Sequence, residues 1–362
     1  MTITFIMRLF YFISLLFFLV NDSYSYSISR GKFIRNNIIH FTLNKDKLIQ
    51  SFDNRNALVI SCDKIGKKVL DDFNKANIRT SVTTTKPKRF NELSSIADEV
   101  VIIPQMEIGK DEIMQDAIYN NDVIIIADTI SIFSVHTFMR TCKRIANAIK
   151  NKGNHKKTTV ILVSSVNVYG VHTNGEFVNE ETPTYLELDR TKIQNWQLNH
   201  YGIASIMRIA EDYLLELMDY SPNIRTVVLR TSTIWDDSNI DAIRDKGFIK
   251  KKYSKVIGNS YMSISFTDEI SNCMKWIIEN NNVKGCFNLV SNSVKRKDFY
   301  DNLFDIMKRP RIKWVNDDSE INKDFYFSMD ENPLLPNAQR FNMRVNCNKI
   351  KMAGYKKLFE LS

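Results

Sequence analysis

The sequence has few of the residues that build metal sites and disulfide frameworks. Its 362 residues include five cysteines and five histidines. The cysteines are odd in number and widely scattered, and no two of them form a Cys-x-x-Cys pair. This pattern predicts reduced thiols and argues against a disulfide scaffold or a zinc site. The sequence also lacks a phosphate-loop motif and a zinc-hydrolase motif.

Glycine and proline are scarce as well, at 11 and 7 residues, and no internal repeat or long low-complexity linker interrupts the chain. Hydrophobic residues make up 44% of the sequence, which is enough for a full core. A chain of this length can form one large α/β domain with an appended subdomain.

An apolar run near the N-terminus precedes the globular part. Leu9 to Val20 follows Arg8, and small polar residues follow from Ser23 to Ser27. A bilayer span needs about 20 apolar residues. The shorter run therefore predicts a signal peptide over residues 1–25, and we expect no stable membrane span once it is removed.

The next segment, residues 26–53, has the composition of a transit peptide. Up to residue 50 it holds five Lys or Arg residues against the single acid Asp46, with several Asn and Ser residues. A signal peptide followed by such a segment resembles the bipartite leader of proteins imported into a secondary plastid such as the apicoplast. Plastid import is thus the predicted localisation, and ordinary secretion is the alternative.

The leader also carries much of the positive charge. The whole chain has a formal net charge of +9, and residues 1–50 hold six Lys or Arg and two Asp or Glu residues. The remainder has 44 basic and 39 acidic residues, a net charge of +5. This mild excess permits an RNA partner without requiring one.

From residue 54 onward, short apolar strands alternate with amphipathic helices. The predicted strands are 57–60, 78–84, 100–103, 123–127, 160–163 and 223–230, and the helices between them include 65–74, 111–119 and 134–150. This alternation predicts an α/β fold with a doubly wound parallel sheet over residues 54–235. Residues 236–362 are predicted to form a smaller C-terminal subdomain.

One stretch carries the strongest motif. The apolar run from Val160 to Val163 predicts a strand buried on both faces, and its carboxyl end delivers Ser164 and Ser165. In an open parallel sheet, ligands bind at that end.

The pattern Ser-Ser-x-x-Val-Tyr-Gly over 164–170, followed by Asn-Glu-x-Thr-Pro over 179–183, resembles the extended short-chain dehydrogenase/reductases, which are NAD(P)-dependent epimerases and dehydratases with a Rossmann fold. Weaker matches follow in the family's order at 223–230, 263–270, 285–290 and 340–355. The resemblance covers residue 56 to the end. It implies a small-molecule or nucleotide-linked substrate, and it is closest to atypical, plastid-targeted members.

The resemblance places the phosphate cradle G-x-G-x-x-G on Ser61-Cys-Asp-Lys-Ile-Gly66. Ser61, Asp63 and Gly66 are the cofactor-binding candidates there, and only the third glycine is kept. Asp63 replaces the glycine that lets the backbone approach a pyrophosphate, and its carboxylate would repel that group. The alternative interpretation is a turn kept for its shape.

After the second strand, NAD-specific relatives place an acid on the ribose 2′-hydroxyl. This chain offers Lys86, Lys88 and Arg89 instead. These cations favour a 2′-phosphate, so NADP is preferred to NAD as the expected cofactor. The alternative is a solvated basic loop.

By resemblance, the catalytic candidates are Ser165 and Tyr201. The family's lysine, four residues after the tyrosine, is replaced by Ser205. Glu211 lies ten residues after Tyr201, whereas the family's glutamate commonly lies eight after its tyrosine. Aligning Glu211 instead puts Ile203 and Met207 in the catalytic positions, and either alignment loses the lysine.

Two functional hypotheses follow. The first is an NAD(P)-binding protein of this family whose oxidoreductase, epimerase or dehydratase chemistry is weakened or lost. The second is a non-catalytic plastid scaffold that binds RNA or assembles with other proteins.

Overall fold

The computed structural model describes residues 55–103, 112–127, 135–152, 156–170, 172–184, 198–236, 261–306 and 341–356. The predicted signal peptide over 1–25 and the transit-like segment over 26–53 lie outside these residues. The strands are β1 (Asn56–Ile60), β2 (Arg79–Thr84), β3 (Glu99–Ile102), β4 (Val123–Ile126), β5 (Thr158–Ser165), β6 (His172–Val178), β7 (Ile224–Thr231), β8 (Thr233–Trp235), β9 (Tyr261–Phe266), β10 (Gly285–Asn288), β11 (Asn292–Lys295) and β12 (Phe341–Val345).

The helices are α1 (Lys64–Lys75), α2 (Phe90–Ser94), α3 (Glu112–Tyr119), α4 (Val135–Lys152), α5 (Leu198–Leu215), α6 (Leu217–Tyr220), α7 (Thr267–Glu279), α8 (Arg296–Ile306) and α9 (Asn348–Met352). Two short 3-10 helices cover Pro87–Arg89 and Val166–Tyr169. No helix within the described ranges is both long enough and apolar enough to span a membrane.

Seven strands form one parallel sheet in the order β10-β7-β5-β4-β1-β2-β3. The strands predicted around Ala57, Val123 and Val160 are neighbours in it, since β1 pairs with β4 and β4 pairs with β5. The predicted α/β class with a doubly wound parallel sheet is therefore confirmed.

Residue alternation along the strands divides the core into two faces. In β1, Ala57 and Val59 pack on the face that also holds α1 and α7, whereas Leu58 and Ile60 pack on the opposite face against α3 and α4. Both sets are almost fully buried. Because helices cover both faces, the central strands β1 and β4 are apolar over almost their whole length.

The described residues after β7 supply most of two smaller sheets and one strand of the large sheet, and β6, which precedes β7, completes one of the smaller sheets. The smaller sheets have the strand orders β11-β9-β8 and β12-β6. β10 pairs in parallel with β7, so the large sheet takes its last strand from beyond residue 235. The division into domains at residue 235 stays a prediction.

Candidate functional site at the carboxyl edge of the sheet

The order of the strands reverses between β1 and β4. From β1 the chain continues outward through β2 and β3, and it then returns to build β4, β5, β7 and β10 on the other side. In doubly wound sheets, ligands bind outside the carboxyl ends of the strands at this reversal. The turn of residues 61–63 follows β1 directly at this point.

This turn keeps a glycine-like backbone without its first glycine. Ser61 has a φ of 63°, in the left-handed region that favours glycine. Its amide donates to Thr83 Oγ1 at 3.3 Å, which joins the turn to β2. A Cβ on Gly66 would lie 2.8 Å from the Ser61 carbonyl oxygen, so the close approach of α1 to the turn requires glycine there.

Asp63 is the N-cap of α1. Its Oδ1 accepts a hydrogen bond from the Ile65 amide at 3.1 Å. In dinucleotide-binding folds, the amides at this helix N-terminus receive the pyrophosphate. Here a carboxylate of the chain bonds to one of these amides and places a negative charge at the positive end of the helix dipole.

The lysines of α1 are paired with acids. Lys64 Nζ lies 3.2 Å from Asp236 Oδ1, which follows β8. Lys68 Nζ lies 3.1 Å from Asp72 and 2.5 Å from Asp268 at the start of α7. These cations therefore meet carboxylates of the chain in a region where a phosphate would need them.

The basic loop after β2 meets a carboxylate that sequence reasoning missed. Lys86 and Lys88 are exposed, whereas Arg89 Nε donates to Glu92 Oε2 at 3.1 Å. Lys67 forms an ion pair with the same carboxylate. Bonds from Arg89 and Lys67 lower the pKa of Glu92 to about 2.

Behind the end of β5, a buried polar network joins three parts of the fold. Ser164 Oγ donates to Glu211 Oε1 at 2.6 Å, and Arg230 NH2 donates to Glu211 Oε2 at 2.7 Å. Arg230 NH1 also donates to the Tyr169 hydroxyl at 3.0 Å. The Tyr169 hydroxyl in turn donates to Asn288 Oδ1 at 2.8 Å. Burial raises the pKa of Tyr169 to about 12. The network links β5, α5 and β7 through side-chain hydrogen bonds, and it contains Tyr169 as a neutral phenol.

Ser165 ends β5 and caps the 3-10 helix that follows it. Its Oγ accepts from the Asn167 amide at 3.2 Å, and the side chain is partly exposed. The hydroxyl thus lies at the carboxyl edge of the sheet, where it already has a local structural role.

Tyr201 lies in α5, the helix that carries Glu211. Met207 lies one helical turn before Glu211 on the same face. It is 1% exposed and belongs to the same packed cluster as Val166, Val168 and Tyr169. In the alignment that matches Glu211 to the family's glutamate, the apolar side chain of Met207 therefore occupies the position of the family's lysine.

In the other alignment, Ser205 occupies the lysine position and is partly exposed. Arg208, the nearest cation along this helix, forms an ion pair with Asp212. Neither alignment supplies a lysine for a tyrosine to use. Within the described ranges, His, Cys, Asp and Glu side chains form no group of three that could hold a metal ion.

No protein-family model matches the sequence, and no curated protein matches it. The structure, in contrast, resembles many solved chains. A human epimerase family protein with NADPH shares 14% sequence identity at a TM-score of 0.56, over 84% of this chain and 95% of that chain.

Two further structures have bound ligands. A dTDP-glucose 4,6-dehydratase from Bacillus anthracis in complex with NAD has 14% identity and a TM-score of 0.60, over 84% of this chain and 92% of that one. The enzyme WbmG of Bordetella bronchiseptica, in complex with NAD and UDP, has 12% identity and a TM-score of 0.58, over 84% and 89%. The chain therefore has the fold of the NAD-dependent epimerase/dehydratase and short-chain dehydrogenase/reductase structures.

Proposed function

We propose that this protein belongs to the epimerase/dehydratase branch of the short-chain dehydrogenase/reductases, binds a nicotinamide dinucleotide weakly, and has lost most of its hydride-transfer chemistry. The fold, the position of the turn at the strand reversal and the sequence motifs support the family and the cofactor class. The observation that carries the proposed weakness is the Asp63 carboxylate bonded to the Ile65 amide at 3.1 Å.

Asp63 opposes binding in two ways. It engages an amide of the cradle, and its charge repels a pyrophosphate. Two unit charges about 4 Å apart repel each other by about 4 kcal/mol at an effective dielectric constant near 20, which corresponds to about a thousandfold in affinity. Asp63 is only partly buried, so solvent screens part of this repulsion. We expect a net weakening of at least about tenfold.

Hydride transfer would also lack an activated phenol. A tyrosine with a pKa near 10 is about a thousandth ionised at pH 7, so it needs a nearby cation to act as a base. Met207 and Ser205, which occupy the lysine position in the two alignments, supply no cation. Any remaining turnover would depend on Ser165 and Tyr201.

The substrate class, if turnover remains, is a small molecule or a nucleotide-linked compound. Support comes from the structural neighbours, of which one is a dTDP-glucose dehydratase and another is solved with UDP. The basic residues Lys86, Lys88 and Arg89 support NADP, and the Glu92 carboxylate opposes it.

The test is a calorimetric titration of NAD and NADP into purified wild type, Asp63→Gly and Asp63→Asn. Asparagine keeps the helix cap and removes the charge, whereas glycine also opens the cradle. We expect tighter dinucleotide binding in both variants, with the larger gain for glycine. Asp71→Asn removes the same charge on α1 away from the turn and serves as the control. Micromolar binding by wild type that neither Asp63 variant improves would contradict the proposal.

A second candidate is a non-catalytic scaffold that binds RNA or a protein. The apolar Met207 on the inward face of α5 favours it, since this position then contributes packing and no chemistry. Complete failure of every variant to bind either dinucleotide would favour this candidate. Filter binding of single-stranded RNA at two salt concentrations would then separate an RNA partner, whose binding falls with salt, from a protein partner.

We also propose import into a plastid. The apolar run from Leu9 to Val20 and the basic, acid-poor segment after it support a two-part leader. Fusing residues 1–53 to a fluorescent protein is the test. Retention in the organelle is expected, whereas a uniform cytosolic signal would refute the leader and secretion would favour the alternative.

A further inference from the structure

Two cations from different elements form ion pairs with one carboxylate near the carboxyl edge of the sheet. Lys67 projects from α1, and Arg89 ends the 3-10 helix after β2. Both pair with Glu92 of α2, to which Arg89 donates from Nε at 3.1 Å and from NH2 at 3.5 Å. Cys62 of the turn is buried, which raises the pKa of its thiol to about 11, and the nearby charges of Arg89 and Lys67 oppose this rise.

The cluster lies where a dinucleotide-binding fold distinguishes its cofactors. The residues after the second strand meet the adenosine ribose, where an acid accepts from a 2′-hydroxyl and an arginine binds a 2′-phosphate. β2 ends at Thr84, and the Ser61 amide bonds to Thr83 beside it. The basic loop therefore adjoins the cradle, and Glu92 brings an acid into the same place.

We propose that Glu92 determines cofactor choice by holding Lys67 and Arg89 in internal ion pairs, so that the protein takes NAD in preference to NADP. This inference rests on the proposed function, because selection requires that a dinucleotide binds. It reverses the preference that the basic residues alone indicate.

The physical reason is a difference in charge. A 2′-phosphate must displace Glu92 from both cations and remain near its negative charge, whereas a 2′-hydroxyl can donate to the carboxylate. The side chains of Lys67 and Glu92 are 49% and 44% exposed, so solvent limits the strength of the pairs. We expect removal of the Glu92 charge to strengthen 2′-phosphate binding by about tenfold.

The test uses adenosine 2′,5′-bisphosphate and 5′-AMP as calorimetric probes, in the wild-type and Asp63→Gly backgrounds. Glu92→Gln should tighten the bisphosphate by about tenfold and leave 5′-AMP unchanged. Adding Arg89→Gln should remove this gain. Asp71→Asn, which removes an exposed carboxylate paired with Lys75, is the matched control and should change neither probe.

The role of Glu92 would be overturned if Glu92→Gln changed the affinity for both probes equally. It would also be overturned if Glu92→Gln did not tighten the bisphosphate while 5′-AMP still bound. Tighter binding of NADP than of NAD by wild type would also overturn it. Failure of the mononucleotides and of NAD to bind any variant, including Asp63→Gly, would instead refute dinucleotide binding and the inference with it. Binding of 5′-AMP therefore separates the two failures.

Discussion

Replacing Glu211 by leucine is expected to destabilise the protein by about 3–5 kcal/mol, because it leaves a buried arginine charge without its partner. Arg230 is 3% exposed and Glu211 is fully buried. The substitution removes the bonds that Glu211 accepts from Arg230 Nε and NH2, and it also removes the acceptor of the Ser164 hydroxyl.

The range follows from these contacts. Arg230 keeps its 3.0 Å bond to Tyr169, so part of the guanidinium stays satisfied. A buried polar group that loses its partner costs about 1–3 kcal/mol, and a charged group costs more. The lost partners of Ser164 and Arg230 together therefore account for the expected cost.

Chemical denaturation measures this effect as a shift of the unfolding midpoint at constant slope. Asp212→Leu is the control, since this acid on the same helix is 41% exposed and pairs with Arg208 near the surface. It should cost no more than about 1 kcal/mol. The double variant Glu211→Leu with Arg230→Met should recover at least half of the loss, because it removes the uncompensated charge. A Glu211→Leu variant as stable as Asp212→Leu would refute the reasoning.

Arg225→Met should destabilise the protein by about 1–3 kcal/mol, since NH1 of Arg225 donates to the carbonyls of Ile277 at 3.0 Å and Val283 at 3.3 Å near the end of α7. The shift of the denaturation midpoint measures this effect, and a shift no larger than that of an exposed Lys75→Met variant would count against this role. Ser61→Gly should not destabilise the protein. Ser61→Val should lower the free energy of unfolding by more than about 1 kcal/mol, because a β-branched side chain is strained at a φ of 63°. Comparable thermal unfolding midpoints for both variants would show that the turn relaxes.

The sheet was predictable because its signal is local. Each strand of a parallel sheet buried on both faces is a short apolar run, and a helix must follow to reach the next strand. β1, β4 and β5 thus lie within a residue or two of their predicted bounds. β10 was harder to place, since Gly285–Asn288 has only two buried residues and joins β7 from far along the sequence.

The partners of the candidate site were not predictable in the same way. The sequence identified Asp63, Arg89 and Glu211 as notable residues, but side-chain contacts between distant elements have no periodicity to reveal them. No motif in the sequence distinguishes Glu92 from the other acids, and the ion pair with Lys67 is visible only in the structure. Sequence reasoning consequently counted the cations around the cradle and missed the acids that hold them.

Asp63 connects the proposed loss of cofactor affinity to a gain in stability. An aspartate at a helix N-cap stabilises a protein by about 0.5–2 kcal/mol relative to alanine, so the residue that would repel a pyrophosphate also stabilises α1. Glycine at an N-cap costs only a few tenths of a kcal/mol relative to aspartate. Because Asp63→Gly removes the charge without much loss of the helix, a change in its dinucleotide affinity can be attributed to the cradle and not to unfolding.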